Sequence, residues 1–537
     1  MSSTTPRRSL NIDNINPHVK KAQYAVRGEL AVRAEKYRSQ LASSSRETNG
    51  DSKSLPFDSV ISANIGNPQQ LDQKPITFFR QVCSILENPL LLEKEQVLLE
   101  GLGYKQDVID RARWLLKDVK SVGAYSQSQG AEGIRGSVAK FIERKWRLYT
   151  HRIPTSPSAA AFCSRMARHE PLSKAASANE DPHTERDGHP ADPSSIYLTA
   201  GASSGVNTLM HIICSSPQTG ILVPIPQYPL YTATLSLLNA RCVPYYLNES
   251  EAWATDLSSI QSALADARDS GTDVRAIVVI NPGNPTGGSL KPEQIKEILQ
   301  FAAEEQLVVL ADEVYQTNIF EGSFCSFKKA LRDLQAAPEN KDGKFDTLEL
   351  ASLHSISKGM VGECGHRGGY MELLGFDPKV VEQIYKFVSI QLCPPVVGQC
   401  MVELMVNPPK EGDESYPLYK QEYDGIFAGL QKRANALYEA FRDMEGVSCA
   451  SPAGSMYLFP TIEVPKKARE AAEKEGKSAD AFYVSRLLDA TGVCMVPGSG
   501  FGQREGTFHF RTTFLAPGTE WVDRIRKFHE GFMDEFR

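Results

Sequence analysis

No run of roughly 18 or more apolar residues occurs anywhere in the 537-residue chain, so no segment reads as a bilayer-crossing helix. The stretch Met1–Val19 lacks the apolar core of a secretory signal. Charge of one sign is lacking too: 59 Lys and Arg against 65 Asp and Glu leave a net charge of -6, which would not concentrate nucleic acid or an anionic membrane surface. Ten cysteines show no paired metal spacing and no small-domain disulfide frame, so reduced thiols are expected, with no disulfide and no metal site. What remains is small-molecule partners, with no nucleic acid and no membrane. The cytoplasm is the expected compartment. Arg7 and Arg8 among serines and threonines keep the mitochondrion as the alternative, although Asp13 interrupts any basic leader pattern.

The length and a hydrophobic content of 41% allow a large core shared by more than one folding unit. Residues 1–19 read as a flexible arm, and Ser39 to Lys53 as a polar loop beside one helical segment. A second polar stretch, 155–183, reads as a surface insertion, because its composition buries too little apolar area to offset the entropy of ordering it. From Ile196 onward, apolar runs (IYLTA, GILVPIP, RCVPYYL, RAIVVIN, LVVLADE, LASLHSIS) alternate with helical patterns near 203–213, 256–266 and 291–305. This alternation predicts an α/β fold with a mostly parallel sheet wrapped by helices. The large domain is expected over 111–399. Residues 400–537, with helical patterns at Gln421 to Arg442 and Asp480 to Thr491, form a smaller α+β domain to which 20–110 contributes.

Ligands of such sheets sit outside the carboxyl ends of the strands, and the suggestive residues fall there. HSISKGMVGECGHRGGY joins Ser355, Ser357, Lys358 and Arg367 in one strand-to-loop transition. An amine condenses with an aldehyde, hydroxyls and a forked guanidinium hold a phosphate dianion, and glycines admit close backbone approach. The set suits a phosphorylated aldehyde, although by itself it reads equally well as a solvated lysine in a turn. Asp312 ends an apolar strand, with Tyr315 three residues on. A carboxylate buried there is costly unless paired, and a pyridinium nitrogen would pair with it and become an electron sink; an N-cap aspartate is the plainer alternative. Ala202 and Ser203 open a helix whose free amides suit a phosphate. The rigid turn NPGNPTGG presents Asn284 after the strand, with a purely structural turn as the competing reading. Tyr228, held between prolines in PQYPLY, is placed to stack on a ring or to pack in the core. Arg511 in FHFRTTFL needs either an internal acid or a substrate carboxylate, which it would bind bidentately.

Taken in order, SANIGNPQQ, GAYSQSQGAEGIR, DGHPADPSSIYLTAGAS, NPGNPTGG, ADEVYQTNIF, SLHSISKGMVGECGHRGGY and VPGSGFGQREGTFHFRTTFL resemble the class I aminotransferases, and among them the alanine aminotransferases, over most of the chain. The resemblance implies a fold type I transferase dependent on pyridoxal 5'-phosphate. By it, Lys358 is the Schiff-base lysine and general base; Asp312, Asn284 and Tyr315 hold the ring; Ala202, Ser203, Ser355 and Arg367 hold the phosphate; Tyr228 stacks. Arg511 takes the substrate α-carboxylate, with Gly66 and Asn284 beside the substrate. It further implies a homodimer in which Tyr125 reaches the phosphate of the neighbouring subunit's cofactor. The catalytic set is then Lys358, Asp312 and Tyr228, and the reaction a ping-pong transfer of the amino group between L-alanine and 2-oxoglutarate, giving pyruvate and L-glutamate. Two departures from the family pattern stand out: Arg367 lies one residue farther from the lysine than in the commonest spacing, and the 155–183 insertion is long. Competing readings are a glutamate-glyoxylate aminotransferase, a lyase or synthase using the same cofactor, and a catalytically silent regulator. Against the last stand the retained Lys358 and the lack of a basic helix-turn-helix-sized segment before residue 60.

Overall fold

The computed structural model describes residues 10, 12, 14–23, 28–44, 55–144 and 186–537. The expected insertion at 155–183 lies outside these, as do most of the N-terminal arm and the later part of the expected polar loop. The earlier part of that loop, Ser39 to Ser44, belongs instead to the helix Glu29–Ser44. Its serines do not break the helix because they bond back along it: Ser39 Oγ donates to Glu35 O (3.1 Å) and Ser43 Oγ to Ser39 O (2.7 Å).

Seven strands form the central sheet: β1 (Ile196–Thr199), β2 (Thr219–Ile225), β3 (Arg241–Tyr246), β4 (Asp273–Ile280), β5 (Val308–Asp312), β6 (Leu350–Ser355) and β7 (Gly369–Leu374). Their order across the sheet is β1-β7-β6-β5-β4-β2-β3. β7 runs antiparallel to both neighbours and every other pairing is parallel. Ile277, Val279, Val309 and Ala311 enter the core on one face, while Ala276, Val278 and Leu310 enter the core on the other. Successive side chains point to opposite faces of a strand, so sheets covered on both sides need the near-continuous apolar runs that mark these strands in the sequence. The expected helices lie between them at Ala202–Ile213 (α1), Leu257–Asp269 and Pro292–Glu305.

β7 is the strand that the sequence pattern did not suggest. It carries Glu372, a charge that reads as surface, yet Glu372 is fully buried and accepts from Lys328 Nζ at 2.5 Å, itself fully buried. Burial pushes the Lys328 ammonium down and the Glu372 carboxyl up, each against the pull of the other. Beside them, Arg186 donates to Glu313 Oε2 (3.2 Å) and Ser352 Oγ (3.1 Å), so a polar network lies beneath the strand ends.

The C-terminal part holds both short strands and helices. Strands β8 (Tyr457–Leu458), β9 (Val496–Pro497) and β10 (Phe510–Thr513) form a small antiparallel sheet in the order β8-β10-β9. The helices Tyr416–Arg442, Ala479–Thr491 and Glu520–Phe536 cover it. Tyr483 stacks on Phe510 at 5.7 Å and meets Phe532 edge-on at 5.0 Å, fixing the strand that carries Arg511. The N-terminal segment joins this body: Ile61–Ser62 pairs in parallel with Val493–Cys494, and Arg33 of the first long helix pairs with Asp489. Farther along, the helix Thr77–Glu87 packs against Gln106–Val119 and Val396–Val406. Among the described residues no helix is long and apolar enough to cross a membrane.

Removing one member of the buried pair strands the other as an uncompensated charge. Lys328→Met is therefore expected to lower unfolding free energy by about 3–5 kcal/mol, read as a fall in the urea midpoint. The double variant Lys328→Met/Glu372→Leu regains most of it; equal losses in single and double variants would show that the pair is not coupled.

Candidate active site

β1, β4, β5 and β6 all end at one edge of the sheet, and their following loops line a single cavity of about 810 Å³. After β1 the chain turns at Gly201, φ 79°, into α1, whose first amides have no acceptor within the helix. Arg367 closes this turn: it donates to Ala200 O (2.8 Å), Ser203 Oγ (3.3 Å) and Cys364 O (3.2 Å). The positive φ of Gly201 favours glycine there, and a Cβ would crowd the Arg367 guanidinium. Ser355, at the end of β6, donates to Gly368 O (3.2 Å) and accepts from the Ser357 amide (3.0 Å). A helix N-terminus, hydroxyls and an exposed guanidinium thus meet at one end of the cavity, the donor set that a phosphate dianion requires.

Asp312, the last residue of β5, is buried and accepts from Tyr231 Oη (2.7 Å) and, more weakly, the Val314 amide (3.4 Å). Burial pushes its carboxyl above the usual range against those two bonds and the field of Lys358. A cationic partner in the cavity would reverse that shift, so the environment suits a protonated ring nitrogen. Lys358 Nζ donates to Gly66 O (3.1 Å) and lies 5.6 Å from the centre of the Tyr315 ring.

A chain of polar contacts crosses the far side. Asn284 Nδ2 donates to Tyr315 Oη (3.2 Å), Tyr315 Oη donates to Tyr457 Oη (3.2 Å), and Asn284 Oδ1 accepts from Arg511 Nη1 (3.1 Å). Arg511 is 1% exposed. Its other bond is to Asn64 O (2.6 Å), its Nε has no acceptor, and its guanidinium lies over the rings of Tyr457 (4.3 Å) and Phe501 (4.6 Å). No Asp or Glu of the described residues pairs with it, which removes the internal ion pair as the reason for its burial. Burial raises the Tyr457 phenol, but Lys358 and Arg511 beside it outweigh that and hold it below its ordinary value. Burial and then Tyr457 push the Tyr315 phenol well up.

All the site residues expected from the sequence line this cavity except Tyr125, which is 78% exposed elsewhere on the surface. Tyr231, Tyr457 and the Asn64 carbonyl were not foreseen. Tyr231 had a signal, since it stands one helical turn after Tyr228 in PQYPLY. Tyr457 reads only as an apolar strand residue, and a backbone acceptor such as Asn64 O leaves no trace in residue type. At the rim, Arg80 binds Glu363 through Nε (2.9 Å) and Nη2 (3.0 Å), and both line the cavity.

A phosphate cradle, an amine, a buried carboxylate and a buried unpaired guanidinium in one cleft fit the shape of chemistry done with a phosphorylated aldehyde ring. With this strand order they define a fold type I transferase, a class whose aminotransferases are pyridoxal-phosphate enzymes. The model of the family described as aminotransferase class I and II matches residues 150–524, and the chain belongs to that family. It is 48% identical over 536 residues to the mitochondrial alanine aminotransferase of Saccharomyces cerevisiae, across 99% of this chain and 82% of that one. It is also 45% identical over 536 residues to a protein of the same yeast named an inactive alanine aminotransferase, across 99% and 96%. Among solved structures, an alanine aminotransferase from Pyrococcus furiosus matches with a TM-score of 0.66 at 22% identity, across 96% of this chain and 100% of that one, a likeness of fold.

A Cβ on Gly66 would lie 2.2 Å from Tyr457 Oη and 2.9 Å from Lys358 Nζ, and the buried Tyr457 has little room to yield. Gly66→Ala is expected to keep the fold, with an unchanged denaturation midpoint, while lowering kcat/KM on the order of 100-fold through displaced reacting groups. Near-normal turnover would show that the Lys358 contact is dispensable.

Proposed function

We propose that the protein catalyses reversible amino transfer between L-alanine and 2-oxoglutarate, giving pyruvate and L-glutamate, with pyridoxal 5'-phosphate held on Lys358. The observation that carries the reading is Arg511, a buried guanidinium bonded to Asn284 in the cavity that Lys358 also lines, with no carboxylate among the described residues to pair with. A buried cation without a counter-ion is costly, and the α-carboxylate shared by all four substrates offsets that cost.

The cofactor, when bound, supplies a carbonyl that condenses with amines and a ring that withdraws electrons from the substrate α-carbon. Asp312 would hold the ring nitrogen protonated, with Tyr231 Oη keeping the carboxylate aimed. Asn284 and Tyr315 would face the ring's phenolic oxygen, and Tyr228 its face. Ala202, Ser203, Ser355 and Arg367 would take the phosphate. Arg511 would orient the substrate so that its α-hydrogen faces Lys358, whose Nζ would take that proton as general base and then, as general acid, deliver it to the carbon on the other side of the amino nitrogen. Tyr457, whose phenol the nearby Lys358 and Arg511 hold below its ordinary value, offers the amine an electronegative neighbour in the cleft. Gly66 lends its carbonyl to the same end.

The reading extends to a homodimer, in which the exposed Tyr125 would reach the partner's phosphate site. Light scattering that returned the mass of one chain would remove that part. The compartment proposed is the cytoplasm, which fractionation checks directly.

Adding L-alanine alone to the yellow protein is expected to bleach the cofactor band with stoichiometric pyruvate, and 2-oxoglutarate then restores it. Bleaching with ammonia would point to a lyase, restoration by glyoxylate in preference to 2-oxoglutarate to the glyoxylate enzyme, and no band would end the proposal. In the same assay Lys358→Ala keeps the cofactor without a covalent link and loses about 10³-fold or more of its turnover. Arg511→Lys raises KM for amino and oxo acids alike by about tenfold, since one ammonium does not reproduce the fork; normal binding of both would reassign the carboxylate site.

A further inference from the structure

We propose that Arg80 binds the distal carboxylate of glutamate and 2-oxoglutarate, so that one cavity serves both a methyl side chain and an anionic one. The proposal rests on the amino-transfer reading, which leaves the second carboxylate of these substrates unassigned. Among the described residues, the Lys and Arg side chains that line the cavity are Lys358, Arg367, Arg511 and Arg80. The first three have roles toward the amine, the phosphate and the α-carboxylate. Arg80, on the helix Thr77–Glu87, has none.

Its geometry suits a conditional partner. Nε and Nη2 donate side-on to the two oxygens of Glu363 at 2.9 and 3.0 Å, and Nη2 also donates to Gln69 Oε1 at 2.7 Å. Nη1 donates to no acceptor among the described residues. The Arg80 side chain is 44% exposed and that of Glu363 2%, so the counter-ion lies behind and the remaining donor edge is open. Glu363 is also 3.0 Å from His366 Nδ1. Burial raises its carboxyl, but His366, Gln69 and Arg80 outweigh burial and keep it charged. With alanine or pyruvate bound, Glu363 already neutralises the guanidinium, so a methyl group does not face a bare cation. With a five-carbon diacid bound, Nη1 adds a charge-assisted hydrogen bond without any rearrangement of the pair. The competing account is a purely structural tie between the helix Thr77–Glu87 and the loop after Lys358.

The two accounts separate in half-reactions of the holoenzyme, with glutarate and propionate as unreactive competitors. Arg80→Gln is expected to raise KM for 2-oxoglutarate and glutamate about tenfold, to shift KM for alanine and pyruvate far less, and to erase the preference for glutarate over propionate. Arg80→Lys restores part of that preference. Equal changes for both substrate pairs, or an intact glutarate preference, would overturn the proposal. If Arg80→Gln does not fold, Glu363→Gln serves instead: freeing Arg80 of its counter-ion should tighten glutarate relative to propionate, and an unchanged or reversed ratio overturns the proposal equally. Failure of the wild type to react with alanine would sink the amino-transfer reading alone, because the glutarate comparison is a binding measurement.

Discussion

Arg511 is the point through which the rest of the site is held together. Its guanidinium is fully withdrawn from water, a loss of several kcal/mol for an ion of this kind, and it is offset from three directions. Asn284 Oδ1 comes from the loop after β4, Asn64 O from the N-terminal segment, and two aromatic faces from the C-terminal body. The hydrogen-bonded partners stand 227 and 447 residues away along the chain, so this one side chain ties three separate stretches to a single cavity. The offset stays incomplete, because neutral oxygens and ring faces do not neutralise a full charge.

The electrostatics of the cavity follow from the same imbalance. Four cationic side chains face two carboxylates, Asp312 and Glu363, and Glu363 is already bound to Arg80. Asp312 sits where burial disfavours its charge more than a tyrosine hydroxyl, a distant amide and the field of Lys358 support it. The surplus cations and the strained carboxylate ask for complementary partners: anionic groups at the ends of a ligand and a protonated nitrogen in its middle. Amino and oxo acids held on a phosphorylated pyridine ring have that pattern of charge.

Beneath the cavity, the sheet supplies rigidity through buried charges as well as apolar packing. Glu313 follows Asp312 directly and accepts both the Phe327 amide (2.8 Å) and Arg186 Nη2, while Ser352 of β6 donates to the same carboxylate. The end of β5, which aims Asp312, and the strand leading to Ser355 and Lys358 are thereby pinned to one another below the reacting groups. Networks of this kind are costly when incomplete and rigid when satisfied.

The sequence by itself determined the strands β1 to β6, because a strand buried on both faces must be a short continuous apolar run, and it determined which residues end them. Lys358, Asp312, Asn284 and Ser203 were legible for that reason, each a polar residue at or just past the end of such a run, and Arg511 because a guanidinium inside the apolar run FHFRTTFL needs a partner. Tertiary structure alone decided β7, whose Glu372 looks like surface until Lys328 is found against it. It alone brought Tyr457, Asn64 and the Arg80–Glu363 pair to the cavity. Apolar periodicity is a local property written into neighbouring residues, whereas the partner of a buried charge is chosen by packing between segments hundreds of residues apart, which no local pattern encodes.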